Sequence, residues 1–266
     1  MTLPRSATLA DGQVQLPRLA NVVADRIREL ILLGDLKDGE RLPPLDTLLE
    51  QFGVSAPSMR EALRVLEAEG LVVVQRGSIG GALVKRPTAK TAAYTLALVL
   101  RSQGTEKGDV AEAIAVLEPL CATLCARRSD RKTKVVRELR KLNLAARELL
   151  DGDGLEFNET MLEFHRMLVR RAGNDTVTLL TRSLGYIWAA DVRAWVTSTA
   201  AHGHYPTSKG RLPEVECHER ITDLIEAGDE AGVAEAMTKH LDVGRVYREG
   251  IDPDQRVDPA AVRFSR

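Results

Sequence analysis

Arg60 and Arg64 stand four residues apart in a segment where Met59, Ala62, Leu63 and Leu66 recur at helical spacing. The two guanidinium groups share the face opposite Met59, Leu63 and Leu66. Planar, permanently charged forks on one face can grip phosphates or guanine edges. An exposed arginine pair also serves plain solubility, so its surroundings have to decide. Ser55 stands where a helix N-cap is expected, with Pro57 and Ser58 in the first turn. That first turn is where a helix seated in a major groove meets base edges. Two other groups could hold metal: Cys121 and Cys125, four apart on a helical pattern, and the loop pair His202-Gly203-His204. Leu117, Leu120 and Leu124 surround the cysteines, so packing explains them, and exposed polar loop residues explain the histidine pair.

The elements around the arginines are short and well punctuated. Gly53-Val54 forms a tight turn before Ser55, and Gly70 stops the helix over 55–69. Upstream, Leu19, Val22, Val23, Ile27, Leu30 and Ile31 line one face of a helix from Arg18 to Leu33, ended by Gly34. Asp38 to Arg41 reads as a turn. Leu42-Pro43-Pro44 is too stiff for a helix interior, and Leu45 to Phe52 is a short second helix. Downstream, a β-rich run from Leu71 to Val74, a glycine-rich turn from Gly77 to Gly81 and Ala82-Leu83-Val84 predict a hairpin. Helix, turn, capped helix and hairpin make a winged helix-turn-helix, which sets one helix in duplex DNA. Ser55, Pro57, Ser58, Arg60 and Arg64 are then the candidate DNA contacts. Residues 17–86 hold ten positive and ten negative side chains, and the whole chain carries a net charge of −1. Placement must supply any local attraction, because the field of a charge fades within about 10 Å at moderate salt.

The chain has 266 residues, 44% of them apolar and only 4% aromatic, a composition that favours packed helices. From Thr88 onward helical segments are expected near 91–102, 108–128, 133–151, 155–172, 175–198, 213–227 and 230–247, with no convincing strand. The expected organisation is a flexible arm over 1–16, a DNA-binding head over 17–87, an all-helical effector-binding and dimerisation domain over 88–249, and a polar tail over 250–266. The fold class is mainly α, an α/β winged head followed by an all-α bundle. The first residues carry no apolar signal core, and the longest apolar run, about ten residues, falls short of the roughly 20 a spanning helix needs. With three scattered cysteines, the expectation is a cytoplasmic chain without a membrane partner.

Taken in order, these motifs resemble the GntR family of bacterial transcription factors, and most closely its FadR-like branch with the FCD ligand-sensing domain. The resemblance rests on Ala24, Ile27, Ile31 and Gly34, Gly39-Glu40-Arg41-Leu42-Pro43, Gly53-Val54-Ser55, Met59-Arg60-Glu61-Ala62-Leu63 and Leu66 with Gly70-Leu71. In the bundle it rests on Leu117-Glu118-Pro119, Phe164-His165, Gly173-Asn174, Glu216-Cys217-His218, Gly228-Asp229 and His240-Leu241. It implies a ligand-responsive repressor that binds double-stranded operator DNA as a homodimer, with Arg76 and Gly77 of the wing at the minor groove or backbone. The family's FCD domains often hold a divalent metal through one aspartate and three histidines. His165, His218 and His240 match the histidines, while Met161 occupies the aspartate place. Three imidazoles suit Zn²⁺ or Ni²⁺. Glu159 and Glu163 lie off the face of His165.

Three further departures bear on specificity. Asp46 and Ala56 stand where the family often has arginines that read bases, so an unusual operator is expected. Ile114 replaces an arginine that clamps a carboxylate in relatives, leaving Arg193 as a candidate anion partner. The expected effector residues are Met161, His165, Arg193, His218 and His240. Met161 and Ile114 together suggest a less polar cavity than a small dicarboxylate needs, and a lipid-derived ligand, such as a fatty acid or an acyl-thioester. Two rivals remain: a metal-dependent enzyme using the three histidines, for which no HExxH or paired-carboxylate motif supplies a base, and an architectural DNA-binding dimer without effector.

Overall fold

Ala20, Val23, Ala24, Ile27 and Ile31 recur at helical spacing and bury one face of α1 (Leu19–Leu33). The helix stops where Gly34 takes a left-handed φ of 91° and its N–H turns back to the Ile31 carbonyl. A short α2 (Leu45–Phe52) follows, and Gly53, at φ 62°, makes the left-handed step into α3 (Ala56–Ala68). A side chain at that φ would be strained, which is why the turn carries glycine. Strands β1 (Val72–Gln75) and β2 (Gly81–Val84) pair antiparallel, with Val72 opposite Val84 and Val74 opposite Ala82. Ile27, Ile31, Leu48, Met59, Leu66 and Val84 share the core of this head.

The structure is a computed structural model and describes residues 18–75, 81–202, 206–243 and 252–264. The wing tip, with the candidates Arg76 and Gly77, lies outside the described residues, as does His204. The segment before α2 does more than turn. Leu42 N–H donates to the Ala82 carbonyl at 2.9 Å and Val84 N–H to the Glu40 carbonyl at 2.8 Å, so Glu40–Leu42 runs beside β2.

The chain divides into two compact units at Pro87 and Thr88. In the second, α4 (Ala89–Ser102), α5 (Lys107–Arg127) and α6 (Arg137–Glu148) come first, with a π-helical turn over Lys132–Val136 leading into α6. Then come α7 (Gly154–Arg171), α8 (Asp175–Ala201), α9 (Ser208–Ala227) and α10 (Glu230–Val243). Thr88 caps α4 through its side chain, and Asp153 caps α7 with two backbone N–H bonds. Cys121, Cys125, Leu139, Phe164, Leu168, Ile221 and Met237 meet in the main core, so the two helical cysteines are packing residues. Among the described residues no helix is long and apolar enough to cross a membrane.

The polar tail expected over 250–266 is corrected for its described part. Val257 N–H donates to the Thr105 carbonyl at 3.1 Å, and Lys107 and Gly108 N–H donate to the Gln255 and Pro253 carbonyls. Beyond this pairing, α11 (Pro259–Phe264) packs on α4 and α8. Val257 and Val262 are both fully buried, beside Ala93, Ala97, Val110 and Ile187. Two apolar anchors are too few to give a periodicity, yet they suffice to lay the segment into a groove between helices.

Candidate functional site

In the head, α3 buries Met59, Ala62 and Leu66 and turns the opposite face outward. Ser55, Pro57, Arg60 and Arg64 are exposed and Ser58 is half-buried. Ser55 occupies the N-cap, but its hydroxyl meets the Ser58 hydroxyl at 3.1 Å and makes no backbone cap bond. Pro57 at the second helical position has no N–H to donate, which removes one of the two donors a cap normally receives. Arg64 reaches Glu61 at 3.2 Å, an exposed pair that a phosphate could easily displace. Arg60 has no ion-pair or hydrogen-bond partner among the described residues. Arg41, which the sequence shows only as part of a turn, bridges to Leu83 of β2 and brings its guanidinium near Gly81.

The bundle encloses a cavity of about 360 Å³ between α5, α7, α8, α9 and α10. His165, His218 and His240 come from three of these helices and meet there. Their Nε2 atoms form a triangle with edges of 3.3, 3.0 and 3.2 Å. Phe164 stacks on His218 with ring centroids 3.8 Å apart and planes 10° apart, which fixes the His218 ring. Glu118 of α5 holds His165 Nδ1 at 2.6 Å. A Nδ1–H bond to a carboxylate leaves Nε2 as a lone pair, the arrangement that orients metal-ligating histidines.

Burial disfavours the charged imidazole at all three positions. It pushes His218 well below the usual histidine value and His240 down to about 3, helped by the neighbouring rings. At His165 burial acts in the same direction, but the charge and hydrogen bond of Glu118 outweigh it, with Glu214 adding to them, and the pKa is raised. His218 and His240 are therefore neutral at neutral pH and present lone pairs.

These residues fit a divalent ion. Zn–N bonds of about 2.0–2.1 Å separate two ligand nitrogens by roughly 2.8–3.4 Å as the angle between them opens from square to tetrahedral. The triangle lies within that span. One cation can satisfy all three facing ring nitrogens at once. Met161, four residues before His165, also lines the cavity and is buried, so a thioether faces the space where a carboxylate is expected. Glu159 and Glu163 are spent on arginines of α7 and α8.

The sequence of the head matches the gntR family of bacterial regulatory proteins over residues 19–80, and that of the bundle matches the FCD domain over residues 109–243. The chain belongs to the gntR family and carries an FCD domain. It is a DNA-binding transcriptional regulator. A protein of Escherichia coli (strain K12) named for regulating the L-lactate dehydrogenase operon is 28% identical over 242 residues, 90% of this chain and 89% of that one. The HTH-type transcriptional repressor NanR of Escherichia coli (strain K12) is 26% identical over 229 residues, 84% of this chain and 82% of NanR. A GntR structure from Streptococcus agalactiae has the same fold, with a TM-score of 0.61 and 23% identity over 86% of this chain and 99% of that one.

Of the effector residues expected from the sequence, Arg193 falls elsewhere. Arg193 directs its guanidinium to Glu159, 2.9 Å away, and is not among the residues lining the cavity. Trp188 and Val192 of the same helix line it instead. Glu118 was missed as a site residue, although the sequence holds a signal: a carboxylate in register with Ile114, Cys121 and Cys125 on an apolar helix face. Asn158 was missed too. It lines the cavity and is 4% exposed, and its Nδ2 finds no partner among the described residues.

Proposed function

We propose that this gntR-family regulator binds operator DNA as a homodimer through the exposed face of α3 and represses transcription until an effector enters the bundle. The observation that carries the reading is a cavity lined by three converging imidazoles in the second unit, while the first unit carries an arginine-bearing helix with an exposed face. A divalent ion, Zn²⁺ or Ni²⁺, would be held by His165, His218 and His240 and supply a cationic anchor for the effector's acidic group. Val116 and Leu120, one turn apart on α5, expose apolar side chains and support pairing of two bundles. The shift between states is a population change in which the effector's differential affinity sets the size of the response. Such a regulator works in the cytoplasm, where its operator is.

The effector is a medium-chain, lipid-derived acid. Ile114, Met161, Leu162, Trp188 and Val192 make much of the wall apolar. At about 30 Å³ per water-sized group, the cavity takes on the order of a dozen non-hydrogen atoms. An acid of eight to ten carbons fits that space. Calorimetry on zinc-loaded protein is expected to show octanoate binding and citrate failing to bind. Tight citrate binding without octanoate binding would overturn the apolar assignment.

Arg60→Ala and Arg64→Ala are expected to weaken binding to a promoter fragment by about 5- to 150-fold each where the side chain reads a base. Where it meets a phosphate, the salt slope should drop by about one instead. Fluorescence anisotropy at two salt concentrations separates the cases. Wild-type affinity in both variants would remove α3 from the interface. With Asp46 and Ala56 in place of base-reading arginines, a usual family operator should bind poorly.

A further inference from the structure

Asn158 of α7 is the polar group in the cavity wall that the metal site does not use. It is 4% exposed, it lines the cavity, and its Nδ2 has no hydrogen-bond partner among the described residues. Leaving a buried amide N–H unpaired is costly, so native proteins find it a partner. Here the cavity is where a partner can enter. We propose that Asn158 hydrogen-bonds a neutral oxygen at the far end of the effector, which is then a medium-chain acid carrying a hydroxyl near its tail. The inference rests on the effector reading above and narrows it.

The place of Asn158 on its helix sets where that oxygen must be. Asn158, Met161, Leu162 and His165 line the cavity at intervals of three and four, a single stripe along α7. Asn158 therefore stands two turns from His165, about 10 Å along the axis. The neighbouring helices share this polarity. α5 runs the same way as α7, with Glu118 at His165 and Cys125 at Leu168, so Ala111 falls at the Asn158 end. α8 runs the opposite way, with Arg193 at Glu159, and Val192 falls there too. An acid group at the imidazoles and an oxygen at Asn158 thus mark the two ends of one elongated space.

The chemistry of the Asn158 end selects a neutral oxygen. Ala111, Met161, Leu162 and Val192 make its walls apolar. Among the described residues, the lysine or arginine that lines the cavity is Lys239, which adjoins His240 at the other end. A second carboxylate beside Asn158 would be buried without a counter-charge. A hydroxyl needs none, and being both donor and acceptor it suits either orientation of a carboxamide.

The test is calorimetry on the zinc-loaded full chain with octanoate, 8-hydroxyoctanoate and octanedioate, comparing wild type, Asn158→Leu and Asn158→Ala. Wild type is expected to bind 8-hydroxyoctanoate about 10-fold tighter than octanoate, and octanedioate more weakly than 8-hydroxyoctanoate. Asn158→Leu keeps a side chain of similar size without the amide, so octanoate should become the tighter of the first two. Asn158→Ala should bind those two alike, and it reads the same loss if the leucine variant does not fold. Octanoate binding wild type as tightly as 8-hydroxyoctanoate would overturn the inference and leave the acid reading standing. A preference for the hydroxy acid that persists in either variant would assign the oxygen to another partner, which also overturns it. Octanedioate binding tightest would overturn the neutral class of the oxygen. A wild type that binds none of the three sinks the inference together with the effector reading.

Discussion

His218→Phe is expected to erase the rise in melting temperature that Zn²⁺ gives the wild-type bundle. A ligand that binds only the folded state at a hundred times its dissociation constant adds about 2.7 kcal/mol of stability. That increment depends on all three nitrogens. His218 stands 3.3 Å from His165 and 3.0 Å from His240, so removing its nitrogen leaves two donors on different helices. Phenylalanine keeps a flat ring in the stack with Phe164, so the metal-free protein should still fold. Burial already keeps His218 neutral, and the substitution changes no charge at neutral pH. His240→Ala, at a less buried position, should behave in the same way. Thermal melting with and without zinc decides the matter. A zinc-dependent shift that survives in both variants would show that the ion binds elsewhere.

The local parts of this architecture were legible in the sequence because local physics sets them. Gly34 and Gly53 end helices in left-handed turns, and the spacing of Met59, Ala62 and Leu66 fixes which face of α3 is buried. The bundle helices fall close to their expected spans for the same reason. What spacing could not show is who meets whom across long separations. His165 and His218 are 53 positions apart, and their convergence depends on the packing of α7 against α9. Glu118 stands out in the sequence as a carboxylate on an apolar helix face, yet its contact with His165 requires α5 beside α7. Arg193 reads as an anion clamp until Glu159, 34 positions earlier, proves to lie opposite it. Ser55 is a cap by position, but Pro57 two residues later changes where its hydroxyl goes.

The described C-terminal segment was the least legible part, and Lys107 is where its importance can be measured. Lys107 Nζ binds Gln255 at 2.6 Å and pairs with Asp191 of α8, with both charged side chains largely buried. One cation thus ties the start of α5 and the body of α8 to the C-terminal segment. Breaking such a pair leaves an uncompensated buried charge, at a cost of about 3–5 kcal/mol. Lys107→Met keeps the aliphatic volume and removes the charge. Burial raises the Asp191 pKa even with Lys107 present, and the like charge of Asp258 adds to it. Without Lys107 that pKa must rise further. A carboxyl whose folded pKa is raised binds more protons folded than unfolded, so stability falls as pH rises through it. The deficit of Lys107→Met should therefore be largest near neutral pH and shrink on acidification. The chain's two tryptophans, Trp188 and Trp195, both lie in α8, so urea unfolding followed by their fluorescence reports the bundle directly. Lys107→Met/Asp191→Asn, with neither charge buried, should recover most of the loss at pH 7. A single variant within about 1 kcal/mol of wild type, or a deficit that does not move with pH, would mean that the pair is solvated and the segment is held by Val257, Val262 and its backbone hydrogen bonds.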